Sequence, residues 1–365
     1  MKNKNFSQGS LWVSIMLAAF TSFIILLSGC KKDDNTIIDT GNNINTGKEW
    51  KDLGSMNINK NVLALCSDPS GNIYASGFTD ANDLNYVLKW NGSTWSIVGD
   101  LRSKSAIYCL SSDLSGNIYA SGQIYNPAET YSYVAKWDGS TWTDIGLHSN
   151  YGDLIVSATD KTGKLYATTD KSSGADVNVY SGGNSWTNLG SLNYSQDIAS
   201  ICADGAGKIY EVFGISLYPP VIAMHKNGAW TELPALTSQV RELRTSCIDK
   251  DGNFYVAGDV YDPATNKFYV GKWNGSSWTK LGDLNGGVFS LATDPAGNLY
   301  AGGSMSPNGP TKGMGVVKWD GSKWVALGTL DSKINSWAIC TDPSGAVYAG
   351  GSFGSTYKNL VKVFK

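Results

Sequence analysis

Side chains that act as nucleophiles, general bases or soft metal ligands are scarce in this chain, whose 365 residues hold 6 cysteines and 2 histidines. Cys66, Cys202, Cys247 and Cys340 each stand two residues before the aspartate of a recurring turn, and Cys109 stands four before another. Ala158 and Ala292 fill the same slot elsewhere, which marks these cysteines as small fillers of an inner strand. Equivalent positions in separate repeats are not expected at disulfide distance, and no Cys-x-x-Cys pair offers a zinc site. His148 falls in a connection between repeats, and His225 takes a slot otherwise held by Trp90, Trp137, Trp273 and Trp319. A Ser-His-Asp or Cys-His arrangement has little to assemble from, and no catalytic residue is assigned.

Oxygen ligands and aromatic rings are the better supplied chemistry. Asp153, Asp197 and Glu242 share one repeat slot, which reads Asn61, Ala106, Gly287 and Asn335 in the other copies. Three carboxylates around one opening could hold calcium, and solvated loop acids are the alternative. Arg244 and Trp337 occupy a second slot, filled elsewhere by Leu63, Tyr108, Ile155, Ala199 and Phe289. Tyr125, Tyr131, Tyr151, Tyr194, Tyr218, Tyr261 and Tyr357 fall on connections between strands or repeats. Tyrosine beside Asp and Asn is the usual composition of a sugar-binding or protein-binding surface, the ring stacking and the polar groups setting orientation. The competing reading is packing between repeats, with Arg244 paired to a neighbouring acid.

The elements that must position these residues are repeats. The pattern Asp-x-x-Gly-x-apolar-Tyr recurs seven times, starting at Asp68, Asp113, Asp160, Asp204, Asp249, Asp294 and Asp342. Asp caps the turn, proline at 69, 295 and 343 pre-sets φ, and Gly takes the positive φ. Trp50, Trp95, Trp142, Trp186, Trp230, Trp278 and Trp324 each open a short strand, most after Lys-Trp-Asn/Asp-Gly-Ser-x, a hairpin signal. Four strands per repeat, seven times over, predict an all-β seven-bladed β-propeller of four-stranded blades over 49–365, with the strand at Trp50 pairing into the last blade to close the ring. The repeats resemble bacterial kelch-like and WD-like propellers. The Asp-Gly-Ser-x-Trp hairpin is similar to the Asp-box of sialidase propellers but lacks the residue between Asp and Gly, so no sialidase residue carries over.

Residues 1–29 carry Lys2 and Lys4, then an apolar run from Leu11 to Leu27, and Leu27-Ser28-Gly29-Cys30 closes the run. This resembles the lipobox of bacterial lipoproteins. The resemblance implies that 1–29 is a signal peptide, that Cys30 is lipidated and that the anchor is a membrane. An uncleaved apolar anchor is the alternative. Lys31-Lys32-Asp33-Asp34 is similar to a signal that sends some lipoproteins to the outer face of the outer membrane, and the polar stretch 31–48 reads as a flexible tether. A formal charge of −2 without a basic cluster excludes a nucleic-acid footprint.

The expected function is a lipid-anchored binding module on the cell surface that engages carbohydrate or a partner protein through one propeller face. An outer-membrane assembly scaffold on the periplasmic side is the alternative, followed by a calcium-dependent hydrolase of the lactonase or glycosidase type. Apart from that calcium no cofactor is expected.

Overall fold

The computed structural model describes residues 50–54, 62–80, 82–124, 131–150, 153–171, 174–194, 197–214, 219–236, 240–305, 315–327, 334–353 and 362–364. All belong to one compact unit, Ile44–Lys365. The chain begins with β1 (Trp50–Asp52) and then runs through six meanders. Blade 1 is β2 (Ala64–Ser67), β3 (Ile73–Thr79), β4 (Asn85–Trp90) and β5 (Trp95–Ile97). Blade 2 is β6 (Ile107–Ser112), β7 (Ile118–Gly122), β8 (Tyr131–Trp137) and β9 (Trp142–Asn150). Blade 3 is β10 (Ile155–Thr159), β11 (Leu165–Lys171), β12 (Gly174–Gly182) and β13 (Ser185–Leu192). Blade 4 is β14 (Ile198–Ala203), β15 (Ile209–Phe213), β16 (Val221–Lys226) and β17 (Ala229–Glu232). Blade 5 is β18 (Val240–Ile248), β19 (Phe254–Asp262), β20 (Lys267–Trp273) and β21 (Trp278–Leu284). Blade 6 is β22 (Val288–Thr293), β23 (Leu299–Gly303), β24 (Gly315–Trp319) and β25 (Trp324–Ala326). A further sheet holds β26 (Ile334–Thr341), β27 (Val347–Phe353) and β28 (Lys362–Phe364) together with β1, in the order β1-β28-β27-β26.

The expectation of seven blades is corrected to six blades formed within the chain and one sheet closed by its two ends. Six blades are contiguous stretches of chain, each a four-stranded antiparallel sheet; the remaining four-stranded sheet is a composite of the two ends. In that composite β1 pairs with β28 in the register Trp50↔Phe364 and Asp52↔Lys362. The innermost strands follow one another around a ring, β26 against β2 included.

Each turn aspartate serves as a local hub because its two oxygens meet donors that the turn itself presents. Asp249 Oδ1 accepts the backbone N–H groups of Asp251 and Asn253, both at 2.9 Å, while Oδ2 accepts Asn253 Nδ2 at 2.7 Å and the Tyr255 hydroxyl at 2.8 Å. Gly252 closes that turn at a φ of 82°, a conformation that a Cβ would strain. Asp113, Asp294 and Asp342 hold Tyr119, Tyr300 and Tyr348 in the same way, each at 2.9 Å.

Blades are joined mainly by burial, since each sheet is apolar on both faces. Leu65 and Ala75 of blade 1 pack with Cys340 and Tyr348 of the composite sheet, and Tyr210 of blade 4 stacks on Phe254 of blade 5 at 4.1 Å. Hydrogen bonds then lace neighbours together. The outer tryptophan of each sheet donates its indole N–H to a backbone carbonyl of the sheet before it: Trp95 to Leu53 at 3.1 Å, Trp142 to Val98 at 2.8 Å, Trp186 to Ile145 at 2.7 Å, Trp230 to Leu189 at 2.9 Å, Trp278 to Pro234 at 2.6 Å and Trp324 to Leu281 at 2.8 Å. Trp50 does the same to Leu327 and completes the circuit. An inner circuit uses the residue before the turn aspartate: Ser112 Oγ donates to the Ser67 carbonyl, Thr159 to Ser112, Thr293 to Ile248, Thr341 to Thr293 and Ser67 to Thr341. Ala203 and Ile248 have no hydroxyl for that role, so the inner lace is missing where blade 4 meets blade 3 and where blade 5 meets blade 4.

Two outcomes follow for stability. Replacing Trp186 by Phe keeps most of the packing but strands the Ile145 carbonyl, and urea unfolding should show a loss of about 1–3 kcal/mol with an unchanged m-value. Burial opposes ionisation of Asp249 and Asp294, yet their side-chain and backbone donors outweigh it and hold both carboxyls below the ordinary 3.8. Their contribution is therefore present above that value and lost as pH falls through the native one. Thermal melts of Asp294→Asn should be less stable than the parent at neutral pH, with the gap closing in acid.

Candidate functional site

In a meander blade the first-to-second and third-to-fourth connections lie at one end of the strands, and the second-to-third and inter-blade connections at the other. The turn aspartates and the Asn/Asp-Gly hairpins thus share one face, the turn face. The connections of variable sequence share the opposite one, the loop face. Asp153 just precedes β10, Asp170 is the penultimate residue of β11 and Asp197 just precedes β14, so all three sit at the loop-face end of the inner strands of blades 3 and 4.

Asp153 is anchored by blade 2. Its Oδ2 accepts Ser149 Oγ at 3.0 Å and the Asn150 N–H at 3.1 Å, while Ser149 Oγ also reaches the Asp170 carbonyl at 3.2 Å. The Asp170 carboxyl is pushed up to about 6, first by burial and then by the negative fields of Asp153 and Asp197. Asp170 thus feels two other carboxyls here. Glu242, the third expected ligand, does not join them. It accepts Arg244 Nη2 at 2.5 Å, and the same nitrogen reaches Asp259 Oδ2 at 3.3 Å. Burial raises the Glu242 carboxyl, with Arg244 opposing and Asp259 adding to the rise. The guanidinium carbon also lies 5.0 Å from the centre of the Phe289 ring in blade 6. Gly287 makes room for this cluster, since a Cβ there would stand 2.0 Å from Asp259 Oδ1. Among the described residues no three His, Cys, Asp or Glu side chains are arranged to hold a metal ion.

Aromatic residues flank the carboxyls. Tyr131 stacks on His148 with ring centroids 3.9 Å apart, and His148 Nε2 lies 2.7 Å from Asp144 Oδ2. His148, Ser149 and Asn150 are consecutive in β9, so the stacked pair adjoins the Asp153 anchor. Tyr261 bonds within its own hairpin, its hydroxyl to Asn266 Oδ1 and its ring edge-on to Phe268 at 5.7 Å. Tyr194 packs on Phe213 at 5.0 Å. Tyr125, Tyr151, Tyr218, Tyr357 and Cys30 lie outside the described residues, as do the segments 1–29 and 30–48 and the side chain of Trp337, whose backbone belongs to β26. His225 occupies the expected tryptophan slot, 5.1 Å from Trp230. The five described cysteines are free, and burial raises their thiols, Cys202 up to about 12.

Sequence reasoning missed Asp170, Asp259 and the Tyr131–His148 stack. The first two were accessible, because each stands four residues after its template tyrosine, a slot that reads Phe78, Gln123, Gly214, Ser304 and Ser352 in the other copies.

No family model matches the chain, and no curated protein matches it by sequence. Solved structures share the fold. A catalytically inactive virginiamycin B lyase from Staphylococcus aureus with quinupristin aligns with a TM-score of 0.62 at 10% identity, covering 87% of this chain and 99% of that one. The WD40 β-propeller domain of Doa1 gives 0.61 at 11% identity over 87% and 97%. A chain of the mitotic checkpoint complex gives 0.60 at 10% over 94% and 99%, and a GH74 xyloglucanase from Xanthomonas campestris gives 0.55 at 17% over 84% and 53%. At these identities the likeness shows a propeller-repeat fold and nothing finer.

The carboxyl cluster can be checked directly. Carbon-detected NMR titration should place Asp170 at about 6, and Asp197→Asn should move it toward the ordinary 3.8 by removing one negative neighbour.

Proposed function

We propose that the protein is a lipid-anchored binding module of the cell surface that engages a glycan or a partner protein through its loop face. One observation carries this reading: the two faces differ in kind, and the chain enters on the plain one. β1 begins at Trp50, opposite Phe364, in the register that pairs Trp90 with Trp95 across the hairpin of blade 1. β1 therefore starts at the turn face, where one motif repeats. The loop face, with the Tyr131–His148 stack, the Asp153–Asp170–Asp197 carboxyls and the Arg244 clamp, lies at the other end of the strands, away from that entry point. A tether attached there leaves the chemically varied face open to a ligand.

Rings offer stacking surface, and fixed carboxyls accept hydrogen bonds from hydroxyl or amide groups, which suits sugars and peptides alike. The resemblance to a propeller within the mitotic checkpoint complex favours a protein partner, and that to a xyloglucanase favours a glycan. The raised Asp170 beside two other carboxyls favours a second reading, a hydrolase in which a protonated and an ionised carboxyl act as a pair.

Glycan arrays and pull-downs from surface extracts test the first reading, and release of reducing ends from bound glycans tests the second. Joint replacement of Tyr131 and Arg244 by Ala should weaken capture by about tenfold or more, equivalent to about 1.4 kcal/mol. Unchanged capture would remove the loop face from consideration. In cells, Cys30→Ala should release the protein from the membrane fraction, and retention would refute the anchor.

A further inference from the structure

One slot of the propeller takes a small apolar residue six times. Ala75, Ala120, Ala167, Val256, Ala301 and Ala349 each follow their template tyrosine, and each is fully buried against the preceding sheet. In blade 4 the same slot holds Glu211, also fully buried. Its Oε2 accepts Thr168 Oγ1 of β11 at 2.7 Å, across the interface with blade 3. Its Oε1 is buried and has no partner among the described residues.

The surroundings do not favour a charge. In its own blade Glu211 lies between Ile201 on β14 and Ala223 on β16. The titratable groups that feel its field are Cys109 of β6 and Cys202 of β14, both thiols that burial keeps protonated. Burial raises the carboxyl, and among the described residues no cation offsets it and only the Thr168 hydroxyl lowers it, so it titrates well above the ordinary 4.5. The same interface lacks the inner lace, because Ala203 has no hydroxyl to give to the Thr159 carbonyl. It also underlies the carboxyl cluster: Thr168 stands two residues before Asp170 on the blade 3 side, and Asp197 leads into blade 4.

We propose that Glu211 is a proton-gated latch between blades 3 and 4, which keeps their interface closed while its carboxyl is protonated and loosens it when the proton leaves. Ionisation places a negative charge where one hydroxyl donates and nothing else does, and the interface has no inner hydroxyl lace to resist. Water entering to solvate the charge separates β11 from β15, and with them Asp170 from Asp197. A carboxyl raised in the native state contributes stability that is complete below its ordinary value and disappears as pH rises toward the native one.

Hydrogen exchange on the full-length protein reads the latch segment by segment. After correction for the intrinsic rate, protection in β11, β14 and β15 should fall by about tenfold or more between about pH 5 and about pH 9, while blades 1 and 6 hold steady. Glu211→Gln should keep those amides protected across the range. Glu211→Ala, which restores the residue of the other blades, should do the same and serves if the amide variant does not fold. Asp170 titrates in the parent and in both variants, so its effect cancels from the comparison. Equal pH dependence in the parent and a folded variant, or loosening spread evenly over all blades, would overturn the proposal.

Discussion

A sheet of four short strands cannot shield either of its faces, and the fold depends on how each sheet borrows cover from the next. Burial supplies most of that cover without direction, so the angular placement of one blade on another must come from bonds that have direction. The indole circuit provides it. Each outer tryptophan lays its ring against the adjacent pair and points its N–H at a carbonyl that the preceding sheet leaves unused, from Trp95 to Leu53 onward. A carbonyl at the end of an outer strand has no further strand to bond, and the indole satisfies it without adding one. Because Trp50 makes this bond as well, the sheet assembled from both chain ends is held to its neighbour as the contiguous blades are held to theirs.

Local chemistry accounts for what could be read in advance. The turn aspartates, their tyrosines and the Asn/Asp-Gly hairpins announce strand pairs because each is satisfied within about seven residues of chain, as Asp249 is by Asp251, Asn253 and Tyr255. The pairing of Trp50 with the C-terminal strand was legible for a different reason: a strand left over at one end and a blade short at the other answer each other. The number of blades was harder to read, since seven turn motifs count strand pairs and not the sheets built from one stretch of chain, which number six.

At the loop face positions were legible in the residues but partners were not. Asp153, Asp197 and Glu242 share one slot, and from the slot alone they should converge. Glu242 instead turns to Arg244, two residues away on the same strand, because a guanidinium at bonding distance outweighs convergence on other negative charges. Asp170 then takes the place left in the cluster, from a strand whose exit residue varies freely from blade to blade. His148, expected in a connection between repeats, is a strand residue stacked on Tyr131, because β9 runs to Asn150.

Blade 4 gathers the departures. It has His225 for tryptophan, Ala203 for the lacing hydroxyl, Glu211 for alanine, and a tyrosine, Tyr210, that stacks on Phe254. These changes have one direction. Ala203 removes a standard contact of the ring and Glu211 places a polar group where the other sheets are apolar, and these two lie at the interface with blade 3, on the Asp170–Asp197 side of the ring. The blade 4–blade 5 interface lacks the inner lace as well but has the Ser200–Ser246 hydroxyl pair at 2.7 Å; the other interfaces keep their laces, and the closed circuit prevents any one of them from opening far without straining the rest. A ring held firmly around most of its circumference can therefore tolerate one compliant interface, and motion there is confined to the part of the loop face where the carboxyls meet.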